Sequence, residues 1–142
     1  MSIEQLDNLV KTKNLKQEVA DQRQFDGMVE SARNRIADQQ VKGLSQEGQF
    51  LATYGAAHLL ALAALRWHGY RSDSRYIVFQ CLQHRIGFET HKWRLLAKCH
   101  DIRNQAEYEG TLSITHQLLE ELIQITNDLI DIIEALGPVK QV

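Results

Sequence analysis

The residues best suited to chemistry on a charged ligand lie in one short stretch of the chain, from Asp101 to Gly110. Arg103 is followed directly by Asn104, and Tyr108 comes five positions after the arginine. A guanidinium group stays charged at any cellular pH, and its planar fork matches the oxygens of a phosphate. A neighbouring amide can add a hydrogen bond to the same group. The side chains of this stretch therefore suit an anionic group such as a phosphate.

His100 is a further candidate, because it lies one helical turn before Arg103 and on the same helix face. Imidazole titrates in the range that suits acid–base chemistry near neutral pH. Two simpler interpretations stay open. A single histidine on a helix is more often a structural or surface residue. Arg103 can also pair with Glu107, four residues on, which stabilises a helix by about 0.2–0.5 kcal/mol without any ligand.

These motif residues resemble the signature of the HEPN superfamily. Its members are compact helical bundles, and many are metal-independent ribonucleases of toxin–antitoxin and phage-defence systems. The catalytic pattern of the family is an arginine, a polar residue, and a histidine separated from the arginine by four to six residues. Arg103 and Asn104 match this pattern, and Tyr108, Glu109 and Gly110 occupy the positions of the histidine.

The resemblance implies that Arg103 stabilises the charge of a scissile phosphate and that Asn104 helps to hold it. Tyr108 takes the place of the histidine, and a phenol with a pKa near 10 is a poor general base at neutral pH. A tyrosine can still orient a hydroxyl or stack on a base. The residues therefore predict binding of RNA or nucleotide phosphate, and Tyr108 argues against an active endoribonuclease. His100 could replace the missing imidazole.

The resemblance also implies protein partners. HEPN proteins generally dimerise with their motif helices at the interface, which predicts a homodimer. They are often encoded beside a nucleotidyltransferase that acts as an antitoxin, so a small protein of that kind is an expected partner. The alternative is a non-catalytic helical module for protein interaction or dimerisation.

The last helical segment bears on this alternative because it carries two apolar stripes, which together cover about half of the helix circumference. Such a helix is either wedged between several others or packs against a second subunit. The stripes consist of Leu118, Leu122, Ile125, Leu129, Ile132 and Leu136, and of Leu119, Ile123, Ile130 and Ile133.

Charge is unevenly distributed along the chain, although the net charge is only −2. The segment from Arg66 to Arg103 holds eight basic and three acidic residues, whereas the segment from Glu107 to Glu134 holds seven acidic residues and no lysine or arginine. A basic segment leading into the motif favours a polyanionic ligand, provided that folding brings its side chains to one face.

Composition sets the class of the protein. The only proline is Pro138, so long helices are permitted almost throughout. Cys81 and Cys99 form no CxxC pair, and histidine and cysteine show no ligand spacing, so we expect no metal or other cofactor. Two thiols without a leader sequence favour a reducing cytoplasm. The most apolar run, from Phe50 to Leu65, is short for a bilayer, which needs about 20 residues.

Hydrophobic periodicity predicts one all-α domain over residues 1–142, an up-and-down bundle of five to six helices without strands. The segment from Ser45 to His68 is apolar nearly all round and should form the centre of the bundle. Tyr54 and His58 lie one turn apart on it, and we expect them to be buried and hydrogen-bonded or to face the motif from across the bundle. The predicted helices span residues 2–11, 15–40, 45–68, 74–85, 89–108 and 114–136.

Overall fold

The computed structural model describes residues 8–9 and 15–139, except for the side chains of His84 and Arg85. Over these residues the chain forms five long helices and a two-stranded sheet, so the all-α class and the helical bundle are confirmed. The first predicted helix, over residues 2–11, lies outside the described residues except for positions 8 and 9. The elements are β1 (Lys16–Gln17), α1 (Gln22–Gln39), α2 (Gln46–Trp67), β2 (Tyr70–Arg71), α3 (Arg75–Arg85), α4 (Thr90–Glu109) and α5 (His116–Glu134).

The apolar helix α2 lies at the centre, in contact with α1, α3, α4 and α5. Its many alanines let these helices approach closely. Within the described part of the chain, α2 is the one helix long and apolar enough to cross a bilayer, and its apolar faces are used in the core of the bundle. The buried alanines are Ala56, Ala57, Ala61, Ala63 and Ala64.

The predicted helix over residues 15–40 is wrong at its beginning, because helix α1 starts only at Gln22. The residues before it are extended, and β1 pairs with β2 in an antiparallel register, which also corrects the prediction that the chain has no strands. Two causes are visible in the structure. The Asp21 side chain caps α1 by accepting from the backbone N–H groups of residues 23 and 24.

The second cause is Arg66, whose side chain is buried on α2. Its guanidinium donates to the backbone carbonyls of Val19 at 2.7 Å and of Glu18 at 3.2 Å. A third, longer hydrogen bond reaches the carbonyl of Tyr70 at 3.4 Å. A helix over residues 15–21 would use the first two carbonyls internally, so the buried guanidinium stabilises the extended conformation.

The other helix boundaries agree with the local signals. The hydroxyls of Ser45, Ser74 and Thr115 cap α2, α3 and α5, each by accepting from a backbone N–H group three residues on. At the end of α4, Gly110 takes φ of 77°, a left-handed conformation that residues with a Cβ rarely adopt.

Helix α5 is wedged within its own chain. Its most deeply buried side chains include Leu122, Leu129 and Ile133, each with a relative exposure of 0%. The remaining apolar residues of the two stripes are either buried or packed against the core as half-buried side chains. The core of the chain therefore covers much of both stripes.

Candidate functional site

A hydrogen-bonded group of side chains joins the motif helix to the central helix. The Tyr54 hydroxyl on α2 lies 3.0 Å from Nδ1 of His100 on α4. Arg75, at the start of α3, donates from Nη1 to the same hydroxyl at 3.0 Å. On the far side of the imidazole, Nε2 lies 3.1 Å from the amide nitrogen of Asn104. Three helices therefore meet at this point, and the expectation that Tyr54 faces the motif from across the bundle is confirmed.

The orientation of the Asn104 amide determines where the protons lie in this group. Its Oδ1 accepts a long hydrogen bond of 3.5 Å from Arg103, which turns its nitrogen toward Nε2 of His100. An amide nitrogen only donates, so Nε2 is an acceptor and the proton of a neutral ring is on Nδ1. Nδ1 then donates to the Tyr54 oxygen. Both nitrogens of His100 and both polar ends of Asn104 are thus used within the protein.

Three guanidinium groups surround these side chains. The Cζ atoms of Arg75 and Arg103 lie 5.7 and 5.9 Å from the centroid of the Tyr54 ring, within cation–π range. Arg35 of α1 reaches the same region by lying across Gly55, where a Cβ atom would collide with the guanidinium. Arg35, Arg75 and Arg103 are referred to below as the arginine cluster.

The charge of the arginine cluster is only partly neutralised. Nη2 of Arg103 lies 3.4 Å from Oε1 of Glu107, so the ion pair allowed by the sequence is formed. In the part of the chain that the structure describes, no carboxylate lies within ion-pair distance of Arg35 or Arg75. An excess of positive charge at a partly exposed position attracts anions.

Two histidines among these cations are uncharged at neutral pH. Burial, followed by the charge of Arg75, lowers the pKa of His58 to about 4, and His100, Arg103 and Arg35 act in the same direction. The pKa of His100 is also lowered, first by burial and then by Arg75. Both rings can therefore stay neutral beside three guanidinium groups.

His58 differs from His100 in the use of its ring nitrogens. Among the described residues no group forms a hydrogen bond with the His58 ring. The ring lies parallel to that of Tyr54 with 6.4 Å between the centroids, and edge-on to Phe79 at 6.0 Å. Packing thus holds the imidazole in place while its nitrogens remain open to a ligand.

The structure brings together three of the four residues predicted for the site, His100, Arg103 and Asn104. Tyr108 is separate from them and 92% exposed near the end of α4. Five residues along a helix correspond to a rotation of about 140°, so a side chain at this spacing points away from Arg103. The tyrosine at the centre of the site is Tyr54, whose pKa is raised, chiefly by burial.

Sequence reasoning did not identify Arg35 or Arg75 as site residues. Arg75 follows the capping residue Ser74, so the α3 cap fixes its position at the helix start. Arg35 carries no spacing signal, because the packing of α1 on α2 alone brings it to the site. An indirect signal was available in Gly55, a glycine within an otherwise favourable helical sequence.

The basic segment that precedes the motif does not form one patch. Arg66 is only 5% exposed and is bound to backbone carbonyls. Lys92 lies 3.4 Å from Asp128, so it pairs with the acidic last helix. Of the eight basic residues in the segment, only Arg75 and Arg103 belong to the arginine cluster. At least two basic residues of the segment therefore serve the fold and are not available to a polyanion.

Comparisons with known proteins do not assign a family to this arrangement. No protein-family model matches the chain, and neither the curated proteins nor the solved structures contain a match. Among the described residues, no three His, Cys, Asp or Glu side chains are grouped closely enough to hold a metal ion.

Proposed function

We propose that this chain is a HEPN-like helical protein that binds the phosphate of single-stranded RNA through the arginine cluster. The observation that carries the proposal is the convergence of three guanidinium groups on two neutral histidines. Within the described residues, Glu107 is the one carboxylate in an ion pair with them. Two of the cluster residues lie on different helices from the motif. A phosphate bound there would be held by contacts from α1, α3 and α4 together.

Phosphate also suits the site energetically. A histidine with a pKa of about 4 adds no positive charge of its own at neutral pH, and the arginines carry the charge without titrating. Burial is the main cause of the lowered pKa of His58 and of His100, and a bound phosphodiester would oppose only the smaller contribution of the arginine charges.

The site supports binding better than cleavage. Both nitrogens of His100 are engaged by Tyr54 and Asn104, so this ring cannot reach a substrate hydroxyl without breaking a hydrogen bond. The open imidazole belongs to His58, and a pKa of about 4 makes it a weak general base at neutral pH. Descent from a ribonuclease toxin with loss of cutting is the form of the proposal that agrees best with these contacts.

A non-catalytic interaction module is the second candidate, and the sequence feature that suggested it has an internal explanation. The two apolar stripes of α5 are covered by the core of the same chain. The large apolar side chain with the highest exposure near the motif is Tyr108, at the end of α4. A homodimer or an antitoxin that uses the motif helix would therefore contact this end.

Binding and cleavage assays on single-stranded RNA test the proposal. We expect salt-sensitive binding by the wild type and a loss of most of it in Arg103→Ala, with Lys98→Ala as a control that removes an exposed charge from the same helix. Binding that does not depend on Arg103 would reject the proposal. If the wild type does cut, a His100→Ala variant with undiminished cleavage would exclude His100 as a replacement for the missing histidine.

A further inference from the structure

A groove adjoins the arginine cluster and shares one of its side chains, Arg75. It runs between α1, α2 and the segment from β2 to the start of α3, and it encloses about 700 Å³. His58 and Arg75 stand at the end next to the cluster, and Met28, Leu59 and Leu62 form an apolar wall farther along. The arrangement is a charged end joined to an apolar channel.

We propose that this groove holds the base of a nucleotide whose phosphate is bound by the arginine cluster, an inference that rests on the proposed function. The volume lies in the usual range for small-molecule sites, which are mostly apolar with a few polar groups. A nucleotide has the matching shape and charge distribution, since it joins an anionic phosphate to a flat ring that binds apolar and aromatic surfaces. His58 stands where the two parts of the ligand would meet.

The other charged side chains of the groove are paired with one another. The carboxylate of Glu18 lies 3.4 Å from Arg66, and that of Asp73 lies 3.9 Å from Arg71. All four line the groove, whereas Arg75 has no carboxylate within ion-pair distance among the described residues. The ligand is therefore oriented, with its phosphate toward Arg75 and its base toward Leu62.

Gly27 leaves one wall of the groove without a side chain. It lies in the second turn of α1 and lines the groove, and a Cβ atom at this position would meet nothing within 4 Å. Glycine is among the least favourable residues in a helix, and alanine would fit here without a clash. The missing side chain leaves the groove wider than the packing of the helices requires.

A base can enter this groove only if it is neither paired nor stacked in a duplex. The groove therefore accounts for a preference for single-stranded RNA, in which bases can be turned out and bound individually. The arginine cluster alone would bind single and double strands through the same contacts to the phosphate backbone.

Calorimetric binding of ribonucleoside 5′-monophosphates and of ribose 5-phosphate tests the proposal, because these probes carry the same phosphate and differ in the base. We expect at least one mononucleotide to bind about tenfold or more tightly than ribose 5-phosphate, as stacking of a base contributes about 1–3 kcal/mol. Equal affinity of all mononucleotides and ribose 5-phosphate for the wild type would overturn the groove proposal.

Variants test the groove separately from the arginine cluster. Gly27→Phe should fill the groove and bring the affinity of the mononucleotides down to that of ribose 5-phosphate. Glu30→Phe, at an exposed position of α1 outside the groove, is the matched control that should bind as the wild type does. Ser31→Phe, one turn farther on, provides a second block if the first variant folds poorly. If blocked variants still distinguish the base, the groove proposal fails.

The contribution of the arginine cluster is tested with the same probes. Arg75→Gln should weaken the binding of mononucleotides and of ribose 5-phosphate alike, because it removes the contact to the phosphate that they share. If Arg75→Gln changes the affinity for neither, the proposed function fails and the groove proposal fails with it. If the wild type binds mononucleotides and ribose 5-phosphate equally and Arg75→Gln weakens the binding of both, only the groove proposal is overturned.

Discussion

At the scale of single residues, each arginine of the cluster is kept near the site by a different contact. Arg103 pairs with Glu107 one turn on, Arg75 donates to the Tyr54 hydroxyl, and Arg35 lies across the bare backbone of Gly55. The first contact was readable from spacing along one helix. The other two join helices distant in sequence, so no local pattern could predict them.

The lowered pKa of His58 makes the stability of the protein depend on pH. The ring has a pKa of about 4 when folded and an ordinary value of 6.5 when unfolded, so below pH 6.5 the unfolded chain binds more protons. The contribution of this histidine to the free energy of unfolding should therefore be fully present above pH 6.5. Toward pH 4 it should be lost, by up to about 1.4 kcal/mol per pH unit for one such histidine. His100 contributes in the same direction.

Urea unfolding at pH 7 and pH 5 measures this effect. In His58→Gln the loss of unfolding free energy between the two values should be clearly smaller than in the wild type, and His116→Gln serves as a control at an exposed histidine. If His58→Gln loses as much unfolding free energy between pH 7 and pH 5 as the wild type does, this imidazole is not the group that titrates.

At the scale of the elements, the site depends on how closely the helices approach one another. The sequence predicted that the apolar segment from Ser45 to His68 forms the centre of the bundle, and α2 lies there with its alanines buried. The sequence also indicated the helix ends, because serine caps and glycines act locally. It could not indicate that α1 lies where Arg35 crosses Gly55, since that depends on the packing of whole helices.

Gly55→Ala tests this packing. The new Cβ would meet the end of a flexible arginine side chain, so Arg35 should move away while the helices keep their positions. We expect RNA affinity to fall several-fold, as in Arg35→Ala, and the unfolding free energy to stay the same or rise by up to about 1 kcal/mol from better helix propensity.

Gly27→Ala is the matched control for this prediction, because its Cβ would enter open space and brings the same gain in helix propensity. Fluorescence anisotropy with a labelled single-stranded RNA gives the affinities. Wild-type affinity in Gly55→Ala, alongside a weakened Arg35→Ala, would show that the collision does not displace the guanidinium.

At the scale of the whole molecule, charge mainly stabilises the fold, and a small part of it is left for a ligand. The sequence suggested a basic segment facing a polyanion, yet Arg66 is buried and Lys92 pairs with Asp128. Charge counts along a chain cannot distinguish these roles, since the acceptors are backbone carbonyls and carboxylates from remote segments. The same interactions explain why residues 15–21 are extended although their composition suits a helix.

Arg66→Met tests the structural role of this buried guanidinium. The substitution leaves the carbonyls of Glu18 and Val19 without their donor, so we expect a loss of about 3 kcal/mol in the free energy of unfolding. Amide exchange at Glu18, whose N–H donates to the carbonyl of Gly69 at 2.9 Å, should accelerate. The exposed Arg23→Met is the control, and equal stability of the two variants would contradict this account of the extended segment.

The most direct test of the arginine cluster is the salt dependence of RNA binding in Arg75→Gln. Glutamine removes the charge and keeps a polar side chain at this position. Affinities for one single-stranded RNA would be measured over a range of salt concentrations, with Lys98→Gln as the control for an exposed charge on α4 outside the cluster. Arg75→Gln is predicted to lower the affinity about tenfold or more and to reduce the slope against salt by about one phosphate contact, with little change in the control. Equal affinities and slopes in the wild type and Arg75→Gln would contradict the claim that this cluster binds phosphate.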